Sequence, residues 1–507
     1  MECSQQQTTV AATATLYENF LEEKCESDLL IPDYCPSAEK IIQCSAVPVI
    51  TKKEIEGDRL ILEGNCRICV IYQGEEEGGI RSLSENVPFN ESLPLKEAGS
   101  NPWIQVVTRS SGVSCRLLNP RKISVRTTVS VAVKVKDQHF TNTVEKMDCN
   151  EVEALFTPAS VYTVLEHSAD TIKVQGEIEV HSEIQDVLKT EGTVCIKDVR
   201  VMAGKAMVKG VVSLSVLYTP ESSPNRIESA STSIPFSQML ELRQSDGRGQ
   251  MEAMAYIQNI RTDVESDEDG NNRLISISAT VLTEGELFEN QLHQMLLDVY
   301  SNQYPIQMKQ EILQYEEMRE RLEGVETIRH KIPMEAEGLE IVQTMGNPVV
   351  QKISGKDQLL TIEGVMDASI FLREGERHRS VDKSFSFTFN VPLQHLDGQM
   401  RCEVRPCILG MNWSVATDGL DLKADIGYSL ITFARHKQEV IHQVEVDTEH
   451  QLEQEEAKPL VVYYGEKGER LWDIARRYAT SVASLKSINN LSADVLDEKK
   501  LLLISKA

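Results

Sequence analysis

Residues 60–72 read LILEGNCRICVIY, and the same pattern returns twice further along the chain. The second copy is MVKGVVSLSVLY at residues 207–218, and the third is LTIEGVMDASIFL at residues 360–372. The copies align on three glycines, Gly64, Gly210 and Gly364. Each copy is rich in β-branched residues and partly alternates between apolar and polar positions, which is typical of a strand. One template at domain-sized intervals predicts three tandem, mainly β domains.

A second strand-like segment follows each copy. Pro88-Phe89 and Pro235-Phe236 mark it in the first two copies, and Phe389 behind Thr388 marks it in the third. Each copy then offers a further pair of strand-like runs: Ile104–Val107 with Ile123–Val135, Ala255–Ile260 with Leu274–Leu282, and Cys402–Leu409 with Leu420–Ile431. Repeated short strands of this kind predict sandwich-like domains. We expect three aromatic residues of the template to lie in the cores: Tyr72, Phe89 and Tyr218.

The spacing of the copies predicts a division of the chain into seven segments. They are an N-terminal extension (1–28), repeat 1 (29–150), repeat 2 with a lead-in (151–304), a helical connector (305–324), repeat 3 (325–447), an acidic linker (448–459) and a terminal module (460–507). The connector is predicted to be a helix because its apolar residues recur at near-helical spacing and Gly324 is suited to a C-cap. These apolar residues are Ile306, Met308, Ile312, Met318 and Leu322.

The terminal module has a strand, two helices and a returning strand. Val461–Tyr464 is strand-like, and Leu471, Ile474, Ala475 and Tyr478 then follow helical spacing. Ser481 is suited to cap a second short helix, in which Val482, Leu485 and Ile488 are predicted to face inward. The pair Asn489-Asn490 ends that helix, and Leu501–Ile504 forms the second strand. The pattern predicts a βααβ unit.

Composition limits the classes of function. The 507 residues include 41% apolar residues, enough for several cores, and the net charge of −26 disfavours nucleic acid and anionic membrane surfaces as partners. No run of apolar residues is long enough to span a membrane. The opening residues MECSQQQ lack the basic and apolar regions of a secretory signal peptide, and eleven cysteines give no paired framework. We therefore expect a cytoplasmic protein with reduced thiols.

No motif for catalysis, cofactor binding or metal binding stands out. Cys66 and Cys69 have the spacing of half a zinc site, but no second pair of ligands matches them. The acidic stretch Asp263–Arg273 lacks the final glutamate of a calcium loop and is predicted to be an exposed turn. The segment Ala203–Ala206 lacks the residues of a phosphate-binding loop. We expect a protein that is not an enzyme and needs no cofactor.

The terminal module resembles the LysM family on Gly468, Leu471, Trp472, Ile474 and Ala475, followed by Asn489-Asn490. This resemblance implies a binding groove between the loop after the first strand and the loop after the second helix. The residues that would contact a partner there are Gly468, Glu469, Arg470, Leu471, Trp472, Leu491, Ser492 and Ala493. LysM domains typically bind glycans that contain N-acetylglucosamine, so peptidoglycan is one expected ligand.

The module departs from the LysM pattern where the glycan would bind. Glu469-Arg470 replaces the usual Asp-Thr, and Asp497-Glu498 occupies the place of the usual Pro-Gly. An arginine beside Trp472 is a composition that protein interfaces favour. Residues 460–507 carry eight basic and six acidic side chains, which leaves −28 for the rest of the chain. Protein binding is therefore the leading interpretation, with glycan binding as the alternative.

Three degenerate Gly…Tyr…Pro-Phe repeats followed by LysM resemble the SPOCS-domain spore coat morphogenetic proteins of spore-forming clostridia. The resemblance implies a non-enzymatic scaffold in the mother-cell cytoplasm that gathers at the forespore surface. It also implies that LysM binds the coat morphogenetic ATPase, stage IV sporulation protein A, and that other coat proteins are further partners. The alternative function is binding of peptidoglycan in the cell envelope or the spore cortex. Neither interpretation includes direct insertion into a membrane.

Overall fold

The computed structural model describes residues 4–75, 78–97, 99–149, 152–396, 400–452 and 460–505. Antiparallel strands make up almost all of it, and the only helices of these residues are two short ones near the C-terminus. The predicted fold class, mainly β with a C-terminal βααβ module, is confirmed.

The strands before the terminal module fall into three successive sets, which we call the first, second and third repeats. The first repeat comprises β1 (Ser4–Leu30), β2 (Ala38–Glu56), β3 (Arg59–Gly74), β4 (Ile80–Pro94), β5 (Trp103–Asn119) and β6 (Lys122–Asp148). The second comprises β7 (Val152–Glu179), β8 (Ile184–Pro220), β9 (Glu228–Asp246), β10 (Gln250–Glu265) and β11 (Leu274–Ser301). The third comprises β12 (Ile306–Pro333), β13 (Leu339–Lys356), β14 (Leu359–Glu374), β15 (Arg377–Pro392), β16 (Arg401–Ala416) and β17 (Gly419–Val446).

Each repeat folds into two sheets around one apolar core. The first and last strands of a repeat pair with each other, giving the sheets β1-β6-β5, β7-β11-β10 and β12-β17-β16. The intervening strands form β2-β3-β4, β8-β9 and β13-β14-β15. Strand β8 spans the positions of both β2 and β3, and Gly204, with a φ of 75°, lies where the other repeats have a turn. The buried apolar residues of each repeat come from both of its sheets, as in a β-sandwich.

The aligned glycines make room for an aromatic ring on the neighbouring strand. Gly64 pairs with Phe89, and Gly210 pairs with Phe236. A Cβ atom at Gly64 would lie 2.3 Å from Cζ of Phe89, so any larger residue would displace the ring. The template therefore repeats because a glycine and a facing aromatic ring fit together. The three aromatic residues predicted to be core are buried: Tyr72, Phe89 and Tyr218.

The third repeat uses a different phenylalanine from the one predicted. Gly364 pairs with Phe387, so the alignment on Phe389 is wrong by two residues. Both phenylalanine side chains are buried, and their rings stack with centroids 4.6 Å apart. Because both residues lie on the same face of strand β15, the alternation of apolar residues could not distinguish them.

The segment predicted as an N-terminal extension over residues 1–28 belongs to the first repeat. From Ser4 onward it forms β1, which pairs with β6 from Ser4 opposite Asp148 to Leu30 opposite Lys122. Residues 1–3 lie outside the described residues. The segment has a weak apolar pattern because it is held largely by backbone hydrogen bonds to a distant strand, which sequence periodicity does not report.

The helix predicted over residues 305–324 is wrong, because Ile306–Pro333 forms strand β12. This strand pairs with β17 along its whole length, and Gly324, the predicted C-cap, lies opposite Tyr428. The lead-in of the second repeat likewise forms the first part of β7. Pairing with a partner strand overrides the near-helical spacing, which is a weak local preference.

The first and last strands of each repeat form a long antiparallel pair: β1/β6, β7/β11 and β12/β17. We call each pair a long hairpin, although its two strands are not consecutive in the chain. The three long hairpins pack against one another. One apolar cluster draws residues from all three hairpins: Val10, Ala12, Ala159, Val161, Met295, Leu313 and Val440. A second cluster, in the last strands of the three hairpins, contains Val144, Leu296, Val299, Ile441 and Val444. Since each repeat contributes equivalent positions, the three repeats are related by an approximate threefold arrangement.

Polar contacts between the repeats follow the same arrangement. The residues five positions after the aligned glycines, Cys69, Ser215 and Ser369, each lie against the next repeat. The three contacts are Gln43 Nε2 to Ser369 Oγ at 3.3 Å, Gln343 Nε2 to Ser215 Oγ at 2.7 Å, and Cys69 Sγ to the Leu188 carbonyl at 3.6 Å. Each repeat thus contacts both others, and the three form one body rather than a linear array of separate domains.

A buried ion pair joins the first and second repeats. Lys136 Nζ lies 3.1 Å from Glu286 Oε2, and both side chains are 5% exposed. Trp103 Nε1 and Gln105 Nε2 also donate to the Glu286 carboxylate, each at 2.6 Å. A buried charge pair is tolerated only when further hydrogen bonds replace the lost water, and this carboxylate receives them. The pair therefore fixes the relative position of the two repeats.

Two motifs set aside in the sequence have structural roles. The acidic stretch Asp263–Arg273 runs from β10 into the turn that leads to β11, as predicted. Cys66 is fully buried in the core of the first repeat, where Cys25 also lies. Nine cysteines among the described residues are free thiols. Cys149 is disulfide-bonded, so the expectation of reduced thiols is wrong at that position.

Candidate functional site

The terminal module is a compact βααβ unit. It consists of β18 (Val461–Gly465), α1 (Leu471–Arg477), α2 (Val482–Asn489) and β19 (Lys500–Ile504). The two strands pair antiparallel, from Val461 opposite Ile504 to Gly465 opposite Lys500. The core beneath them is made by Leu471, Ile474, Ala475, Leu485, Leu496, Leu502 and Ile504. All the elements predicted for this module are present.

Local signals set the boundaries of the second helix. Ser481 is its N-cap and accepts a hydrogen bond from the Ser484 backbone N–H, as predicted. Asn490 ends the helix in the left-handed conformation, with a φ of 49°. The prediction that Ile488 faces inward is wrong, because its side chain is 38% exposed. Asn489 instead fixes this end by exchanging hydrogen bonds with the Leu503 backbone.

Backbone hydrogen bonds join the two loops of the predicted groove. The Leu471 N–H donates to the Asp494 carbonyl at 2.8 Å, and the Leu496 N–H donates to the Glu469 carbonyl at 2.9 Å. Arg470 and Val495 form a β-bridge between these contacts. The loops therefore behave as one surface, whose shape depends on both segments.

The structure distributes the eight predicted contact residues over three environments. Four are exposed on the loops: Gly468, Arg470, Ser492 and Ala493. Glu469 and Leu491 are half-buried. Leu471 is fully buried in the module core, so it supports the loop rather than contacting a partner. Trp472 is 8% exposed and lies against the second repeat.

Charged side chains hold the first loop in shape. Glu469 accepts hydrogen bonds from the Glu466 backbone N–H and the Tyr463 hydroxyl, each at 2.8 Å, and these bonds lower the pKa of its carboxyl. Arg470 forms a two-point ion pair with Asp473 at 2.8 and 2.9 Å. This partner raises the pKa of the Arg470 guanidinium. The arginine is thus a fixed cation at the surface of the loop.

The first helix of the module contacts the second repeat. The rings of Trp472 and Tyr300 meet edge to face, with centroids 5.0 Å apart. Trp472 Nε1 donates to Asp298 Oδ2 at 2.8 Å, and Arg476 donates to the same oxygen at 2.6 Å. The Tyr300 hydroxyl donates to the Thr480 carbonyl at 2.8 Å. We call the side of the module that carries Trp472, Arg476 and Thr480 the helix face.

The opposite side of the module is an exposed apolar surface, which we call the strand face. It is formed by the outward side chains of the two strands, where Val462 pairs with Leu503 and Tyr464 pairs with Leu501. These side chains are 53%, 37%, 67% and 47% exposed, in that order. None of these four residues belongs to the predicted contact set, although the sequence carries a signal for the surface in the apolar residues on both faces of the two strands.

Neither a metal-binding cluster nor a membrane-spanning helix is found in the described ranges. No group of three or more His, Cys, Asp or Glu side chains is placed to hold a metal ion in this part of the chain. None of the helices in the described ranges is long and apolar enough to cross a lipid bilayer.

Comparison with known protein families agrees with this architecture. Residues 37–117 and 183–265 match the family model described as SipL, SPOCS domain. Residues 466–505 match the model of the LysM domain. Neither a curated protein nor a solved structure shows significant similarity to the chain. The third repeat lies outside the matched segments and shares the strand order of the first. Both matched families are non-catalytic binding domains.

Proposed function

We propose that this protein of SPOCS and LysM domains is a non-enzymatic adaptor in spore coat assembly. In this proposal the LysM domain binds a protein partner, and the three repeats form the body that carries it. The partner is the coat morphogenetic ATPase, stage IV sporulation protein A, and the place of action is the forespore surface in the mother-cell cytoplasm. Other coat proteins bind the repeats and thereby extend the coat around the forespore.

The observation that carries the proposal is the strand face. Val462, Tyr464, Leu501 and Leu503 are large apolar side chains that form one exposed surface on a small domain. Contiguous exposed apolar surface on a soluble protein marks a site of protein interaction, because leaving it in water is unfavourable. A partner that covers this surface gains the burial of all four side chains.

The charge of the module supports a protein partner as well. Arg470 lies exposed beside the strand-to-helix loop, and its ion pair with Asp473 holds it in one orientation. An exposed guanidinium held in one orientation is a common component of protein interfaces. The LysM domain carries about +2, so an acidic surface on the partner would complement it.

Removal of the LysM domain tests the proposal directly. The chain truncated before residue 460 should fail to co-purify with the coat ATPase, while its repeats stay folded by circular dichroism. The substitution Arg470→Glu is a finer test, and we expect it to weaken binding without changing the thermal melt. Lys467→Glu is the matched control, because it reverses a nearby exposed charge outside the predicted contact set. Unchanged co-purification after the truncation would contradict the proposal.

Peptidoglycan binding is the alternative function, and the LysM family match favours it. A sedimentation assay with insoluble peptidoglycan separates the two functions, because a glycan-binding protein is retained in the pellet. We expect the full chain to stay in the supernatant. Retention that N-acetylglucosamine oligomers abolish would establish the alternative.

A further inference from the structure

The contact between the LysM helix face and the second repeat involves one end of the β7/β11 hairpin. Asp298 and Tyr300 lie near the C-terminal end of β11, and Leu155 of β7 is opposite Asp298. Tyr300 and Leu155 join the apolar cluster of the LysM core. Burial raises the pKa of the Glu153 carboxyl in β7, and the Val482 backbone at the start of α2 partly offsets this rise. The contact thus combines ring packing, charge and backbone hydrogen bonds.

The strand register identifies the equivalent hairpin ends in the other two repeats. All three last strands have a bulge at this point, after the buried residues Val144, Leu296 and Ile441. Counting from the bulge, the position of Asp298 is occupied by Lys146 in the first repeat and by Gln443 in the third. The approximate threefold arrangement therefore offers three comparable docking positions, and the domain occupies one.

The side chains at these positions explain why the LysM domain docks on the second repeat and not on the first or the third. Lys146 would repel Arg476, and Gln443 has no charge to pair with it. The position of Tyr300 is occupied by Asp148 and Glu445, neither of which can pack against Trp472. The position of Leu155 is occupied by polar Gln6 and Lys309. In the described residues, a carboxylate, an aromatic ring and a leucine occur together only at the end of the second repeat's hairpin.

We infer that the hairpin end of the second repeat is a built-in docking site for the LysM domain, which holds Trp472 covered until the domain is released. Asp298 is the centre of this site, because one of its oxygens accepts hydrogen bonds from both Trp472 and Arg476. Its side chain is 18% exposed, so the carboxylate is partly shielded from competing water, whereas the Arg476 side chain is 47% exposed. Tyr300 supplies the packing surface.

In the docked domain, one side is accessible to partners and the other is covered by the second repeat. A partner that needs only the strand face or Arg470 can bind the docked domain. A partner that needs Trp472 must displace the second repeat, so its apparent affinity is its intrinsic affinity multiplied by the fraction of undocked molecules. This last step rests on the proposed function, whereas the docking itself does not.

Two variants of the full chain test the docking site. Asp298→Arg places a cation against Arg476 and removes the acceptor of Trp472, and Arg476→Asp added to it restores an ion pair of opposite sense. Gln443→Arg is the matched control, because it places the same cation at the equivalent position of the third repeat. Hydroxyl-radical labelling read by mass spectrometry reports the exposure of Trp472, and hydrogen exchange reports the protection of α1.

The inference predicts that Asp298→Arg increases labelling of Trp472 by about tenfold, the factor expected for losing a charged hydrogen bond. The charge-swapped double variant should recover most of the protection, and Gln443→Arg should match the wild type. If Asp298→Arg leaves the labelling of Trp472 unchanged, the inference is overturned. An equal increase in Gln443→Arg would also overturn it, because the effect would then be general loosening.

Affinity for the coat ATPase separates this inference from the proposed function. If Trp472 contacts the ATPase, Asp298→Arg should bind it about tenfold more tightly than the wild type. If Trp472 becomes exposed and the ATPase binds neither form, the proposed function fails while the docking site stands. If the ATPase binds both forms equally although Trp472 is exposed, the covering of Trp472 does not limit binding and that consequence is refuted.

Discussion

The helix face and the strand face of the LysM domain are made from the same short segment, yet they have opposite surroundings. Trp472 on the helix face is 8% exposed, whereas Tyr464 on the strand face is 67% exposed. The second repeat places a carboxylate, an aromatic ring and a tyrosine hydroxyl against the helix face. The four side chains of the strand face are 37–67% exposed. Two surfaces of one domain can therefore serve different partners, one inside the chain and one outside.

Shortening a core side chain that lies between the two faces should lower the stability of the LysM domain more than any other change. Leu471 is fully buried beneath both, and Leu471→Ala should destabilise the LysM domain by about 2–5 kcal/mol. For a domain this small, such a loss approaches its total stability. We expect hydrogen exchange to show loss of protection in both helices, together with loss of docking.

The control for this substitution is Leu501→Ala, which shortens an exposed leucine on the strand face. It should change the stability of the domain by less than about 0.5 kcal/mol. Equal effects of the two substitutions would contradict the distinction between core and surface.

Acid should weaken the contact between the second and third repeats and thereby lower the stability of the repeat body. His378 accepts a hydrogen bond from the Ile227 N–H at 3.2 Å, and burial lowers the pKa of this histidine to about 4 from its usual 6.5. Because the folded protein disfavours the charged form, the stabilisation is complete above pH 6.5 and is lost as the pH falls towards 4. The loss is on the order of 3 kcal/mol.

The measurement is the urea midpoint of the full chain between pH 7 and pH 4, compared with that of His378→Gln. The wild type should lose more stability than the variant over this range, because only the wild type carries the titrating group. Parallel curves for the two proteins would exclude His378 as a cause of acid sensitivity.

The ring contact on the helix face should contribute a smaller amount. Trp472→Ala, Tyr300→Ala and the double variant form a cycle that isolates the contact between the two rings. We expect a coupling energy of about 0.5–1.5 kcal/mol, the usual value for an edge-to-face pair. Hydrogen exchange of α1 in the full chain measures it, and additive effects of the two substitutions would show that the rings do not interact.

Polar substitution of the strand face should have the smallest effect on stability. Val462→Ser with Leu503→Ser should leave the folding of the domain and the labelling of Trp472 unchanged within about 0.5 kcal/mol. The same pair should weaken binding of the coat ATPase by about tenfold or more, as expected for the centre of an interface. Increased exposure of Trp472 in this variant would show that the two faces are not independent.

The parts of the fold that depend on neighbours in sequence were predictable. Ser481 caps α2 through a residue three positions away, and the helical spacing of Leu471, Ile474 and Ala475 describes the buried side of α1. The repeating template was readable for the same reason, since a glycine and its flanking apolar residues lie within one strand. These features need no knowledge of the partner strand.

The parts that depend on distant pairing were not predictable. The near-helical spacing of Met308 and Ile312 predicts a helix over residues 305–324, but pairing with β17 makes this segment part of strand β12. Asp298 and Tyr300 are ordinary residues of a strand until the fold brings Trp472 to them, although Trp472 lies 174 residues after Asp298 in the sequence. A single sequence contains no signal for such a contact.

The most direct test of the account compares two ligands of the intact protein. Equilibrium binding of the full chain should be measured with the purified coat ATPase and with insoluble peptidoglycan, for the wild type and for Val462→Ser with Leu503→Ser. The account predicts that the wild type binds the ATPase and not peptidoglycan, and that the variant loses the ATPase. Retention on peptidoglycan by both proteins, with no binding of the ATPase, would contradict it.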